Sequence, residues 1–266
     1  MIMTTADTAH VRSHDGKGFF LFSAIAMVLV VVAGFSLQLA MGRSSFQAPP
    51  LVHAHAIVFM GWVVIFLLQN TLIATGQVRL HRPLGWIAAA WLVPMLVLGC
   101  LVTVNMIREA DVPFFFKPLH FLVFDPVSLI AFIALTIAAI AFRRATPWHQ
   151  RLHYCAMAIL TGPALGRLLP MPLLIPWGWE ANFIATLVFP LIGVLADLMR
   201  NGRVHPAWIW GIGAMFAMFA AVEAITYTPV GTALYDAVAA GSPGAAVDPL
   251  AFPPFPGPPP GAAPAP

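Results

Sequence analysis

Charge is what this chain of 266 residues has least of: only 9% is Asp, Glu, Lys or Arg, whereas 60% is hydrophobic. A soluble globular domain carries about 25% charge, so a water-surrounded fold is excluded. Thirteen basic and ten acidic residues leave a formal charge of +3, and they fall between apolar runs instead of forming a basic face. That excludes a nucleic-acid partner. Cysteine is scarce too: Cys100 and Cys155 form no CxxC pair, which excludes a disulfide framework and a thiolate metal centre. Lysine is confined to Lys17 and Lys117, both at the edges of apolar runs. A rhodopsin-like retinal protein, which needs a Schiff-base lysine inside its bundle, is therefore excluded.

Long apolar runs are what the chain has in quantity. A bilayer core about 30 Å thick takes about 20 residues of helix. Seven such runs are legible: Gly18 to Ala40, Leu51 to Thr75, Leu84 to Ile107, Pro118 to Phe142, His153 to Ile175, Ala181 to Leu198 and Ala207 to Tyr227. They predict an all-α, polytopic membrane bundle of about seven transmembrane helices, lodged in a lipid bilayer. The expected organisation is a cytoplasmic segment 1–17, a bundle 18–228 and a tail 229–266. The first run exceeds the roughly 7–15 apolar residues of a signal peptide and reads as a retained anchor. The fifth contains Arg167 and prolines. After Tyr227 the chain turns to Ala, Gly and Pro and ends FPPFPGPPPGAAPAP, a composition from which a disordered tail is expected.

Lys and Arg are retained on the cytoplasmic side. Alternate connections place nine of them on one side (Arg12, Lys17, Arg79, Arg82, Arg143, Arg144, Arg151, Arg200 and Arg203) and Arg43, Arg108 and Lys117 on the other. With seven spans this puts the N-terminus in the cytoplasm and the tail in the periplasm of a bacterial inner membrane. Cys100 and Cys155 then lie near opposite membrane faces and cannot pair.

Polar groups inside a bilayer face the bundle interior or a cavity. Spans two to five each begin with histidine: His53 and His55 outside, His81 inside, His120 outside, His149 and His153 inside. His53 and His55 lie about 200° apart on a helix, so only one faces inward. From His55, helical steps reach Phe59, Trp62, Phe66 and Gln69, the polar stripe, whereas His53 leads to Ile57, Met60, Val64 and Leu67, which suit lipid. His81 leads to Gly85, Ala88, Leu92, Met95 and Gly99, and His120 to Phe124, Val127, Ala131, Ala134 and Ala138. Such small-residue stripes serve close helix packing and would equally admit a flat macrocycle. On span five Arg167 shares a face with His153 and lies roughly 21 Å further along, at a depth similar to Asp125 and Glu223. An intramembrane cluster of Asp125, Arg167 and Glu223 is expected, with Arg167 paired to one acid or both. Glu180 belongs to an outer loop, and Asp197 is expected to balance Arg200 or Arg203 at the surface.

Histidines in two layers suit a b-type haem, which takes axial imidazoles from facing helices. Pairing by depth gives His55 with His120 between spans two and four, and His81 with His153 between spans three and five. This placement resembles the transmembrane di-haem b-type cytochromes of the ascorbate-reducible family, over about Leu51 to Ile175. The resemblance implies haem ligation by those histidines. That family carries a second histidine four residues after the first on its third span; here LHRPLGW has Gly85 there. If a single haem binds, the outer pair is expected to hold it, with Arg167 meeting a propionate. HAHAIVFMGW, LLQNTLIATG, LHRPLGW and HQRLHYCAMAILTGPALGRLL are similar to blocks shared by uncharacterised multi-pass bacterial inner-membrane proteins, a likeness that implies the seven-helix architecture and no activity.

Three functions remain open at this level. One is a haem b electron-transfer protein with a quinone or redox partner. The second is a haem-free scaffold or assembly factor. The third is a metal or small-solute carrier using His55, His120, Asp125 and Glu223, although no tight ligand spacing fixes a metal.

Overall fold

A computed structural model describes the backbone of residues 5–44 and 46–255, with side chains from position 16 onward except 17. The described residues form helices and no strand. In chain order these are α1 (Thr5–Ala40), α2 (Pro50–Ala74), α3 (Val78–Arg108), α4 (Pro118–Ala141), α5 (Thr146–Leu160), α6 (Gly162–Leu168), α7 (Gly178–Asn201), α8 (Pro206–Thr226) and α9 (Pro229–Ala239), with short 3-10 turns at Met171–Leu174 and Pro243–Ala246. Six of them, α1 from Gly18, α2, α3, α4, α7 and α8, are long and apolar enough to cross a bilayer. The protein is a multi-pass, all-α membrane bundle. Proline opens α2, α4, α5, α6, α8 and α9 within the first turn, where its missing N–H breaks no helical bond and its fixed φ suits the helix.

The central helix is α4, which packs against α3, α5 and α8. Its interior face runs Leu129, Phe132, Thr136 and Ala139, all buried, in helical steps from Asp125. The expected series from His120 is corrected here, since only Phe124 of it is buried. The reason is geometric. Asp125 lies about 140° around the helix from His120, and Pro118 to Phe124 are buried on every side, so the first turns do not mark the deeper face.

The fifth run departs from the single span expected over His153 to Ile175. The helix begins earlier, at Thr146, and breaks at Thr161, because Pro163 has no N–H to continue the ladder. The tandem of α5 and α6 still packs along α1 between Phe19 and Phe35. Tyr154 stacks on Phe19 at 5.9 Å, and Arg167 lies over Phe35 at 4.3 Å. Between them Gly34 admits the α6 backbone: a Cβ there would come within 2.5 Å of the Ala164 carbonyl oxygen.

The segment after Tyr227 is also corrected over 229–255, where an ordered cap replaces the expected disorder. Gly231, Tyr235 and Ala239 recur every four residues on α9 and are buried, a stripe hidden by a composition of small residues. Arg108 Nη1 donates to the carbonyls of Val238 at 2.9 Å and Ala240 at 3.3 Å, neutralising the C-terminal end of α9. The Tyr235 hydroxyl donates to the Gly244 carbonyl at 3.0 Å, and the Leu119 N–H donates to the Pro249 carbonyl at 2.8 Å. The remaining tail residues, 256–266, lie outside the described residues, as does most of the segment 1–17 at the level of side chains.

Candidate functional site

A cavity of about 930 Å³ opens at the arginine-rich end, between α2, α3, α4 and α5. Arg82, Arg143 and Arg144 line it near the ends of α3 and α4, and His81, His149 and His153 line it from α3 and α5. The His81 and His149 rings lie 6.2 Å apart and perpendicular; His149 and His153 are 4.7 Å apart, again perpendicular. A carbonyl oxygen can only accept, so the 2.7 Å contact between His149 Nδ1 and the Ala139 oxygen places the proton on Nδ1. Nε2 of the neutral ring is left with a free lone pair. Deeper in, Trp62 and Phe66 of α2 and Thr136 of α4 form the walls, with Gly85 and Ala88 of α3 supplying room. Gly85 leaves space for Gln69, whose Nε2 would lie 3.4 Å from a Cβ at that position.

Several residues of this wall carry a polar atom without a partner among the described residues. Trp62 Nε1, Gln69 Oε1, His81 Nδ1 and Thr136 Oγ1 are all buried and unbonded. Each such atom costs about 1–3 kcal/mol unless a ligand or water completes it.

The outer layer is built differently, and the expected pair of His55 with His120 is corrected. His120 Nε2 lies 3.1 Å from Glu223 Oε1, with its ring against Phe124 and Trp179. The nitrogen that would bind iron is therefore engaged. His55 stacks on Phe59 at 4.1 Å, with Nδ1 buried and unbonded. His53, by contrast, reaches the Phe46 carbonyl at 3.2 Å near the surface.

The cluster of Asp125, Arg167 and Glu223 is not joined by ion pairs among the described residues. Asp125 Oδ2 accepts from the Thr103 hydroxyl at 2.7 Å, and Glu223 takes His120. Arg167 donates to its own helix at the Pro163 carbonyl, 2.7 Å away, and covers Phe35. The helix break explains this, because α6 packs on α1 and carries Arg167 toward that helix.

Asp197 does not balance Arg200 or Arg203 as expected. Its carboxylate accepts from Arg151 Nε at 2.8 Å and Nη2 at 2.5 Å, and from Trp208 Nε1 at 2.8 Å. Gly193, one turn earlier, is what lets the Trp208 ring in: a Cβ there would collide with it. In the loop between α7 and α8, His205 caps α8 by accepting from the Ala207 N–H at 3.1 Å. Burial, and then the nearby Arg151 charge, holds this imidazole below its ordinary value of 6.5.

The inner histidines were legible from their placement at helix starts. Thr136, the partnering of Arg151 with Asp197, and the depth of the cavity were not. The only trace was a polar Gln69, Thr136 and His153 set into three apolar runs at comparable distances from the arginine-rich end.

These features define a class: a multi-pass helical membrane protein with a polar-lined cavity at its arginine-rich end. No family model, curated protein or solved structure matches the chain. Among the described residues no group of three His, Cys, Asp or Glu side chains is disposed to hold a metal ion.

Proposed function

We propose that the protein acts in the bacterial inner membrane by binding an amphipathic ligand in the cavity at its arginine-rich end, which the distribution of Lys and Arg assigns to the cytoplasmic side. The observation that carries this reading is the cavity itself, of a volume usual for ligand sites, with arginines and histidines at its mouth and apolar side chains further in. Arg82, Arg143 and Arg144 suit the anionic or strongly polar end of such a molecule, and Phe66, Trp62 and Ala88 suit its apolar body.

A b-type haem used for electron transfer is the second reading, and the donor set favours it at the inner layer only. His149 donates Nδ1–H to a backbone carbonyl and keeps Nε2 free, the orientation typical of metal-binding imidazoles. His81 of α3 and His149 or His153 of α5 would hold the group, and the three arginines would take its propionates. When bound it would supply one-electron chemistry. The outer histidines fit it poorly, because His120 is bonded to Glu223.

The full chain, purified in mild detergent from haem-replete cells and extracted with organic solvent, tests both readings. A stoichiometric amphiphile in the extract, lost when Ala89→Phe fills the cavity, is the expected result. A reducible Soret band lost in His149→Ala would identify the ligand as haem. An extract with neither, identical for wild type and Ala89→Phe, would overturn the ligand-binding reading.

A further inference from the structure

The mouth of the cavity says more about its ligand, on the reading that the cavity binds one. Arg82 stands near the start of α3, and Arg143 and Arg144 follow the end of α4; all three are exposed and line the cavity. None of them makes an ion pair among the described residues. Of the described carboxylates only Asp197 lies at this end, and Arg151 and Trp208 occupy it. Arg143 gives one N–H to the Ile140 carbonyl at 3.3 Å. Guanidinium groups without a counter-charge, gathered on the rim of one cavity, suit an anion with several acceptor oxygens, such as a phosphate.

The cavity also reaches the side of the bundle. Trp86 lines it and is nevertheless 62% exposed, on the face of α3 that carries the exposed Val93 and Val97. It lies about 12 Å of helix from Val78 at the start of α3, the interfacial level at which tryptophan is enriched. The Arg143 guanidinium sits over its ring at 5.8 Å, so the pair bridges a seam between α3 and α4. The seam decides between anions. A soluble anion would reach the arginines from water and leave the apolar interior unfilled, whereas an anionic lipid already lies in the leaflet at the level of Trp86. We propose that the cavity binds an anionic phospholipid of the cytoplasmic leaflet. Its phosphate is held by Arg82, Arg143 and Arg144, and an acyl chain runs past Ala89 toward Ala88 and Phe66.

The test is native mass spectrometry of the detergent-purified full chain, titrated separately with phosphatidylglycerol, with phosphatidylcholine of the same chains, with inorganic phosphate and with haemin. One phosphatidylglycerol per chain is expected, bound in preference to phosphatidylcholine and lost in Ala89→Phe. Arg143→Gln and Arg144→Gln should each weaken it about fivefold and together about 25-fold. Arg79→Gln, at the same end but outside the cavity, should bind like wild type, and unchanged melting temperatures would show that the variants fold. Equal weakening by Arg79→Gln, or equal binding of phosphatidylcholine, would overturn the assignment. So would displacement of the lipid by inorganic phosphate, which would give the arginines to a soluble anion, or binding of haemin alone, blocked by Ala89→Phe; that last result would leave the cavity reading standing. Absence of binding by all four probes, with no amphiphile in the organic extract, would remove both.

Discussion

Arg151 of α5 and Asp197 of α7 form a buried, two-nitrogen ion pair at the arginine-rich end, and the same carboxylate takes the indole N–H of Trp208 from α8. Helix α5 is thereby fixed against the consecutive helices α7 and α8, beside the loop from which His205 caps α8. Both charged side chains are about nine-tenths enclosed, so the energetics are those of a buried pair.

Removing one partner leaves the other buried and uncompensated. Arg151→Met or Asp197→Leu should each destabilise the protein by about 3–5 kcal/mol. The double substitution should recover much of the loss. Denaturant or thermal melts in detergent check this, and a double variant as unstable as the sum of the singles would contradict it.

Gly193 accommodates the Trp208 ring, so Gly193→Leu should displace that ring and break its bond to Asp197. Overpacking costs about 1–3 kcal/mol, to which the lost hydrogen bond adds. A red shift of tryptophan emission with a lower melting temperature is the expected signature.

The cap on α8 is sensitive to acid. His205 must keep Nδ1 unprotonated to accept from Ala207, and burial lowers its affinity for a proton in the folded state. The unfolded chain then binds the proton first as pH falls. The contribution of the cap is full above about pH 6.5 and is lost below it, as pH drops toward the lowered folded value. His205→Asn should retain the cap and flatten this dependence, and His205→Ala should cost about 0.5–2 kcal/mol at neutral pH. Melting temperatures between pH 5 and pH 8 provide the comparison.

The cap formed by α9 depends on Tyr235, which is 3% exposed. Tyr235→Phe should cost about 1 kcal/mol through the lost bond to Gly244. Tyr235→Ala should loosen the segment from α3. Limited proteolysis reads this directly: wild-type cleavage within 229–250 should be slow, and should become fast in Tyr235→Ala with the bundle core still protected.

Apolar runs of bilayer length made the multi-pass bundle legible, because any such stretch must satisfy its backbone within a helix. Histidine placement pointed to the inner cavity for the same reason, since polar residues are costly in lipid. Composition misled at the tail, where a four-residue stripe of Gly231, Tyr235 and Ala239 was concealed among small residues. Local periodicity also misled on α4, because the turns around His120 are enclosed on all sides.

The amino-acid sequence by itself determined that this chain spans a membrane, that its long apolar runs are helical, and that most arginines gather toward one end together with His81, His149 and His153, all consequences of local transfer energies and backbone bonding. Which polar groups meet was decided only by the tertiary structure. Arg167 turns to Phe35 after the break at Pro163, Glu223 takes His120, and Asp197 takes Arg151. Partner choice depends on helix rotation and crossing, and those are set by contacts between different helices, such as Gly34 on Ala164 and Gly193 on Trp208.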